Sequence, residues 1–130
     1  MRQKKVLIVD DELSILVPLK FLLEKNNYRV DLAQSGKDAL DMITQSKPDL
    51  VLLDIMLPGI DGWEVCEIIR LNENLRDVKI VFLTARGQNE EIAKGLALGA
   101  DAYIVKPFSN AVLVDTVKGL LEKTDQIPED

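Results

Sequence analysis

The stretch "VLLDIMLPGIDGWE", residues Val51 to Glu64, decides the fold. An apolar run meets a carboxylate, Asp54, and breaks into a loop holding Pro58 and Gly59 before a helical pattern opens near Gly62. A run that is apolar at every position suits a strand covered on both faces, the situation in a parallel sheet. A carboxylate at the end of such a strand has no packing reason to be there.

Outward from this stretch the pattern recurs. "VLIV" (Val6 to Val9), "LVLL" (Leu50 to Leu53), "IVFL" (Ile80 to Leu83) and "AYIV" (Ala102 to Val105) are short apolar runs, each followed by polar or small residues, and all read as strands covered on both faces. In "YRVDLA", Tyr28, Val30 and Leu32 alternate with Arg29 and Asp31, which marks an edge strand. Between the runs, Ile15, Leu16, Leu19, Leu22 and Leu23 share one helical face, and Leu113, Val114, Val117, Leu120 and Leu121 repeat that spacing. Ser35 with Asp38, and Asp61 with Glu64, have the form of capping boxes, so helices are expected from about Gly36 and Gly62. Gly99 is expected to end a helix over "NEEIAKGLAL". Pro18 falls inside the first helical pattern, where a proline costs about 3 kcal/mol if nothing relieves it.

Composition bounds the rest. A chain of 130 residues is about one domain, which buries roughly two-thirds of its unfolded surface. At 47% hydrophobic and 29% charged residues it belongs with globular proteins rather than disordered or membrane ones. No apolar run reaches membrane-span length, and "MRQKKVLIVDDE" meets acids too early for a signal peptide, so a cytoplasmic location with no membrane partner is expected. The single cysteine, Cys66, fits that compartment and excludes an internal disulfide; Cys66 and Trp63 read as packing residues. A formal charge of −6 with no Lys/Arg cluster speaks against direct nucleic-acid binding.

Strands and helices in strict alternation make a doubly wound α/β sheet, where ligands bind beyond the carboxyl ends of the strands. The residues at those ends are Asp10 and Asp11, Asp54, Thr84 and Lys106. Crowded carboxylates repel, and a cation relieves the repulsion. With no histidine in the chain, oxygen-only ligation points to a hard ion such as Mg²⁺, which needs one or two carboxylates and keeps several waters. A carboxylate is also a nucleophile toward phosphorus. On this reading Asp54 attacks, Asp10 and Asp11 hold the metal, and Lys106 and Thr84 meet the phosphoryl oxygens. Asp11 taken alone reads equally well as a helix cap.

In "VLIVDDE", "PDLVLLDIMLPGIDGWE", "IVFLTA" and "GADAYIVKPF", in that order and spacing, the chain resembles the response-regulator receiver domains of bacterial two-component signalling. The resemblance runs from about Lys5 to Glu122. It implies a (βα)5 flavodoxin-like sandwich with a parallel five-stranded sheet of order 2-1-3-4-5, a receiver domain over 1–123, and a flexible tail or start of a linker over 124–130. Asp54 aligns with the phosphoacceptor, Asp10 and Asp11 with the metal-site acids for Mg²⁺ or Mn²⁺, and Met56 with the residue whose backbone carbonyl completes the metal shell. Thr84 and Tyr103 align with the switch pair, and Lys106 with the active-site lysine, joined to Pro107 by a cis peptide. Met56 and Arg86 flank the phosphoryl group at positions that tune its lifetime.

The implied partners are a histidine kinase or histidine phosphotransfer protein upstream and, through the helix 4, strand 5 and helix 5 face, a protein or output domain downstream. The implied role is a signalling switch rather than a turnover enzyme. Lys94 is present where family members form charged dimer contacts, but Val112 and Thr116 replace the expected acid and base, and Ala102 replaces an acid before Tyr103. A monomer or a weak phosphorylation-linked dimer is therefore expected. A dehalogenase-type phosphohydrolase would need a second acid where Met56 stands, and a nucleotide or flavin binder would need a phosphate loop where "DDELS" has no glycine. The remaining alternative is a docking module that retains the site without using it.

Overall fold

The computed structural model describes residues 3–85 and 89–122; Arg86, expected to tune phosphoryl lifetime, and the expected tail over 124–130 lie outside them. Five strands, β1 (Lys5–Val9), β2 (Arg29–Ala33), β3 (Leu50–Asp54), β4 (Lys79–Thr84) and β5 (Ala102–Val105), alternate with α1 (Leu13–Lys25), α2 (Gly36–Gln45), α3 (Gly62–Leu71), α4 (Asn89–Ala97) and α5 (Asn110–Glu122). All strand pairs are parallel, in the order β2-β1-β3-β4-β5, which is the expected flavodoxin-like topology.

Alternate residues of β1, β3 and β4 feed two cores. Val6, Ile8, Leu50, Leu52, Val81 and Leu83 pack with Leu16, Leu19 and Leu23 of α1 and Leu113, Val117 and Leu121 of α5. Leu7, Val9, Val51, Leu53, Ile80 and Phe82 face the other way, against Ala39 and Ile43 of α2 and Val65, Cys66 and Ile69 of α3. Each fully buried Leu, Ile or Val contributes about 1.5–3 kcal/mol, so the central strands, apolar on both faces, hold the layers together. No helix among the described residues is long and apolar enough to cross a membrane.

The expected caps form. Ser35 Oγ accepts the Asp38 N–H at 3.1 Å, and Asp61 Oδ1 accepts the Glu64 N–H at 2.9 Å. Gly99, in the left-handed region at φ 105°, follows α4. β2 is an edge strand as its alternation required, but so is β5, which pairs only with β4. Tyr103 and Val105 are 39% and 37% exposed, which corrects the reading of "AYIV" as covered on both faces. An unbroken apolar run does not reveal that its strand lies at the margin. Pro18 sits inside an unbroken α1, and both it and Ser14 are exposed on an open groove. Water can there serve the Ser14 carbonyl that loses its N–H partner, which accounts for the tolerated proline.

Candidate functional site

Sheet register brings the rim residues together. Val9 lies opposite Leu53, so Asp10 and Asp54 leave the sheet side by side. Asp54 lies opposite Leu83 and Thr84 opposite Val105, which places Thr84 and then Lys106 along the same rim. The Lys106 N–H donates to the Thr84 carbonyl at 2.7 Å and extends the ladder to the site. The Lys106–Pro107 peptide is cis.

Asp10 is fully buried, with both oxygens engaged. Oδ1 accepts the Glu12 N–H at 2.9 Å, and Oδ2 accepts Lys106 Nζ at 3.0 Å. Asp54, also buried, accepts the Met56 N–H on Oδ1 at 3.1 Å, while its Oδ2 stands 3.7 Å from Lys106 Nζ. One ammonium thus serves two buried carboxylates. Burial raises the Asp54 pKa above the ordinary carboxylate value; Lys106 and the Met56 N–H pull it back, and the charges of Asp10 and Asp11 push it up.

Asp11 does not cap α1. The N-cap is Glu12, in an extended conformation and without a side-chain capping bond. Asp11 is instead exposed beside Asp10 and Glu12, and one carboxylate oxygen from each of the three lies within 4.8 Å of the others. Glu12 is the residue that strand-end reasoning passed over. Its acid was readable in "VDDE", but its N–H clamp on Asp10 follows only from the turn after β1. Lys106 faces Asp10 and Asp54, Asp11 and Glu12 gather beside Asp10, all the donors are oxygen, and the chain has no histidine. That donor set fits a hard divalent cation, with Asp10, Asp11, Asp54 and the Met56 carbonyl as the groups that could hold it.

Thr84 is buried at the end of β4, and Tyr103 sits half-exposed on β5, both lining a narrow crevice with Ile55, Phe82, Ile92 and Gly95. Met56 is 71% exposed and lines a cleft with Asp11, while its backbone N–H binds Asp54. Trp63 packs as expected, its ring centroid 5.1 Å from that of Phe82. Lys94, read as a dimer charge, lies 4.8 Å over the Trp63 ring. Cys66 is buried, its thiol pushed up to about 11 by burial.

A family model for the response regulator receiver domain matches residues 6–118. The chain belongs to this family. A response regulator structure from Chloroflexus aurantiacus is 36% identical to this receiver domain, with a TM-score of 0.88 over 93% of this chain and 99% of that one. The chemotaxis protein CheY4 of Vibrio cholerae is 30% identical, with a TM-score of 0.88 over 92% of this chain and 100% of its own. The BeF3-activated DrrB receiver domain is 33% identical, with a TM-score of 0.85 over 93% of this chain and 99% of its own. As a receiver domain the chain is a component of two-component signalling.

Proposed function

We propose that this receiver domain takes a phosphoryl group onto Asp54 from a phosphohistidine donor and changes its β5 and α4–α5 surface in response. The observation that carries the reading is the pairing of one ammonium, Lys106, with two buried carboxylates, Asp10 and Asp54, at the mouth of a parallel sheet. The acids that crowd that pair, Asp11 and Glu12 beside Asp10, leave an excess of negative charge that calls for a cation.

In the transfer, an Asp54 carboxylate oxygen forms a bond to phosphorus as the bond between phosphorus and the imidazole nitrogen breaks. The electron pair of that bond returns to the ring, whose other nitrogen already carries a proton, and the donor leaves as neutral imidazole. A divalent cation, Mg²⁺ or Mn²⁺, supplies neutralisation of phosphoryl charge when bound by Asp10, Asp11, Asp54 and the Met56 carbonyl. Lys106 adds its ammonium to the phosphoryl oxygens and Thr84 its hydroxyl. A phosphoryl group adds about 1.5 to 2 negative charges. That charge draws Lys106 and Thr84 inward and biases the crevice beside Tyr103.

The donor histidine lies outside these 130 residues, which contain none. Its docking face is α1, where Leu13, Val17 and Phe21 stand 57%, 43% and 64% exposed next to a groove that ends at Lys106 and Pro107. The protein acts as a switch rather than a turnover enzyme, in the cytoplasm, as a monomer or weak phosphorylation-linked dimer.

The test is intact-protein mass after incubation with acetyl phosphate, with and without Mg²⁺, on the wild type and Asp54→Asn. One added phosphoryl that needs both Mg²⁺ and Asp54 is the expected result. No adduct, together with no response to beryllofluoride, would favour the docking-module alternative.

A further inference from the structure

The loop over residues 55–61 carries the Met56 N–H that binds Asp54 and the Met56 carbonyl that the proposed function gives to the cation. Its shape is set by glycines on two helices. Gly62, at the start of α3, packs its bare Cα against the Asp54 carbonyl and the Ile55 Cα, where a Cβ would clash with both. Its N–H donates to the Ile55 carbonyl at 2.9 Å, and the Leu57 N–H donates to the same oxygen at 3.1 Å. Ile55 and Leu57 are buried, so this end of the loop has little slack.

The other contact comes from α2, which contributes no acid, lysine or hydroxyl to the rim. A Cβ on Gly36 would stand 2.5 Å from the Ile60 carbonyl oxygen and 3.0 Å from Val65 Cγ2. Gly36 is not in the left-handed region, so alanine is allowed there by the backbone and favoured by helix propensity. Space alone excludes it.

We propose that Gly36 is a positioning residue for the phosphorylation site: its missing side chain lets α2 seat the Ile60 carbonyl, and with it the loop that presents Met56 to Asp54 and the cation. The inference rests on the proposed function for its cation. A methyl group at position 36 would push the loop by roughly an ångström, a misplacement that costs up to about 100-fold where groups must stay aligned. Groups that orient metal ligands from behind are typically worth about 10-fold to 100-fold in metal affinity.

Trp63, the only tryptophan, lines the cleft that Asp11 and Met56 also line. Mg²⁺ titrations followed by its fluorescence and by calorimetry compare wild type, Gly36→Ala and, as a control, Gly119→Ala, at a helical glycine with nothing near its Cβ position. Gly36→Ala is expected to keep a native circular dichroism spectrum and weaken Mg²⁺ binding about tenfold, with Gly119→Ala unchanged. Wild-type Mg²⁺ affinity in Gly36→Ala, whatever its thermal stability, overturns the proposal. If Gly36→Ala does not fold, Ile60→Gly loosens the same seat from the loop side, and wild-type affinity there overturns it equally. Failure of the wild type itself to bind Mg²⁺ would instead remove the proposed function.

Discussion

Lys106 is paired first with Asp10, at 3.0 Å, and only second with Asp54, at 3.7 Å. Because Asp10 is fully buried, its carboxylate depends on that ammonium and on the Glu12 N–H for compensation. Breaking a buried pair by removing one partner costs about 3–5 kcal/mol, and the partial exposure of Lys106 places this case near the lower end. Lys106→Met is therefore expected to lower the urea midpoint clearly in metal-free buffer, and Mg²⁺ to restore part of the loss. An unchanged metal-free midpoint would show that Asp10 does not rely on Lys106.

Asp54 has the opposite effect on stability. Burial raises its folded-state pKa, so the native protein holds the proton to higher pH than the unfolded chain does. The stability linked to that proton is complete below the ordinary carboxylate range and is lost as pH rises through the folded pKa. Asp54→Asn is expected to unfold at higher urea than wild type in metal-free buffer at neutral pH, with the gap closing as pH falls into the carboxylate range. Denaturation curves across that range check both the sign and the convergence.

What the sequence disclosed was local. Val6 to Val9 and Leu50 to Leu53 announce buried strands because each position must be apolar, and Ser35 and Asp61 announce helix starts because a cap acts within three residues. The rim acids were legible because chain direction alone places Asp10 and Asp54 at the same end of a parallel sheet. Long-range contacts were not legible. Arg70 donates to the Gly99 carbonyl at 2.8 Å, to the Val78 carbonyl at 2.7 Å and to Asp101 at 2.9 Å, joining α3 to the α4–β5 turn with no periodic signature. The marginal place of β5 and the use of Lys94 over Trp63 likewise depend on which elements become neighbours.

Tyr28 and Glu122 tie the entry to β2 to the last turn of α5. The Tyr28 hydroxyl donates to Glu122 Oε2 at 2.7 Å, and the tyrosine is buried, which with the carboxylate pushes its pKa far above the usual range. A hydrogen bond to a charged group contributes about 1.5–3 kcal/mol, less where the acceptor can turn to water, as Glu122 can. Tyr28→Phe is expected to lose about 1 kcal/mol in urea denaturation and leave Mg²⁺ binding unchanged.

Met56 stands two residues beyond Asp54 with its side chain 71% exposed above the rim. A bulky apolar group there hinders the water that would attack a phosphoryl group on Asp54 and offers it no hydrogen bond. Met56→Asn replaces that obstruction with a smaller side chain able to orient water, so the phosphoryl half-life should shorten. Following loss of the phosphorylated mass after removal of acetyl phosphate measures it; equal half-lives would rule out shielding by Met56.

The exposed α1 residues separate donor recognition from chemistry. Leu13, Val17 and Phe21 recur every four residues, which lines them up on one face of the helix, and the neighbouring groove of about 490 Å³ reaches Lys106 and Pro107. A protein that brings phosphohistidine to Asp54 must cover surface beside the rim, and this apolar face adjoins it. Acetyl phosphate needs only the rim. Truncating a buried aromatic anchor in an interface commonly costs more than 1 kcal/mol, so Phe21→Ser is expected to slow transfer from a phosphohistidine protein by about tenfold while leaving the acetyl phosphate rate unchanged. Equal losses with both donors would mean that the substitution disturbs Asp10 through α1. No loss with either would move the donor face elsewhere on the rim.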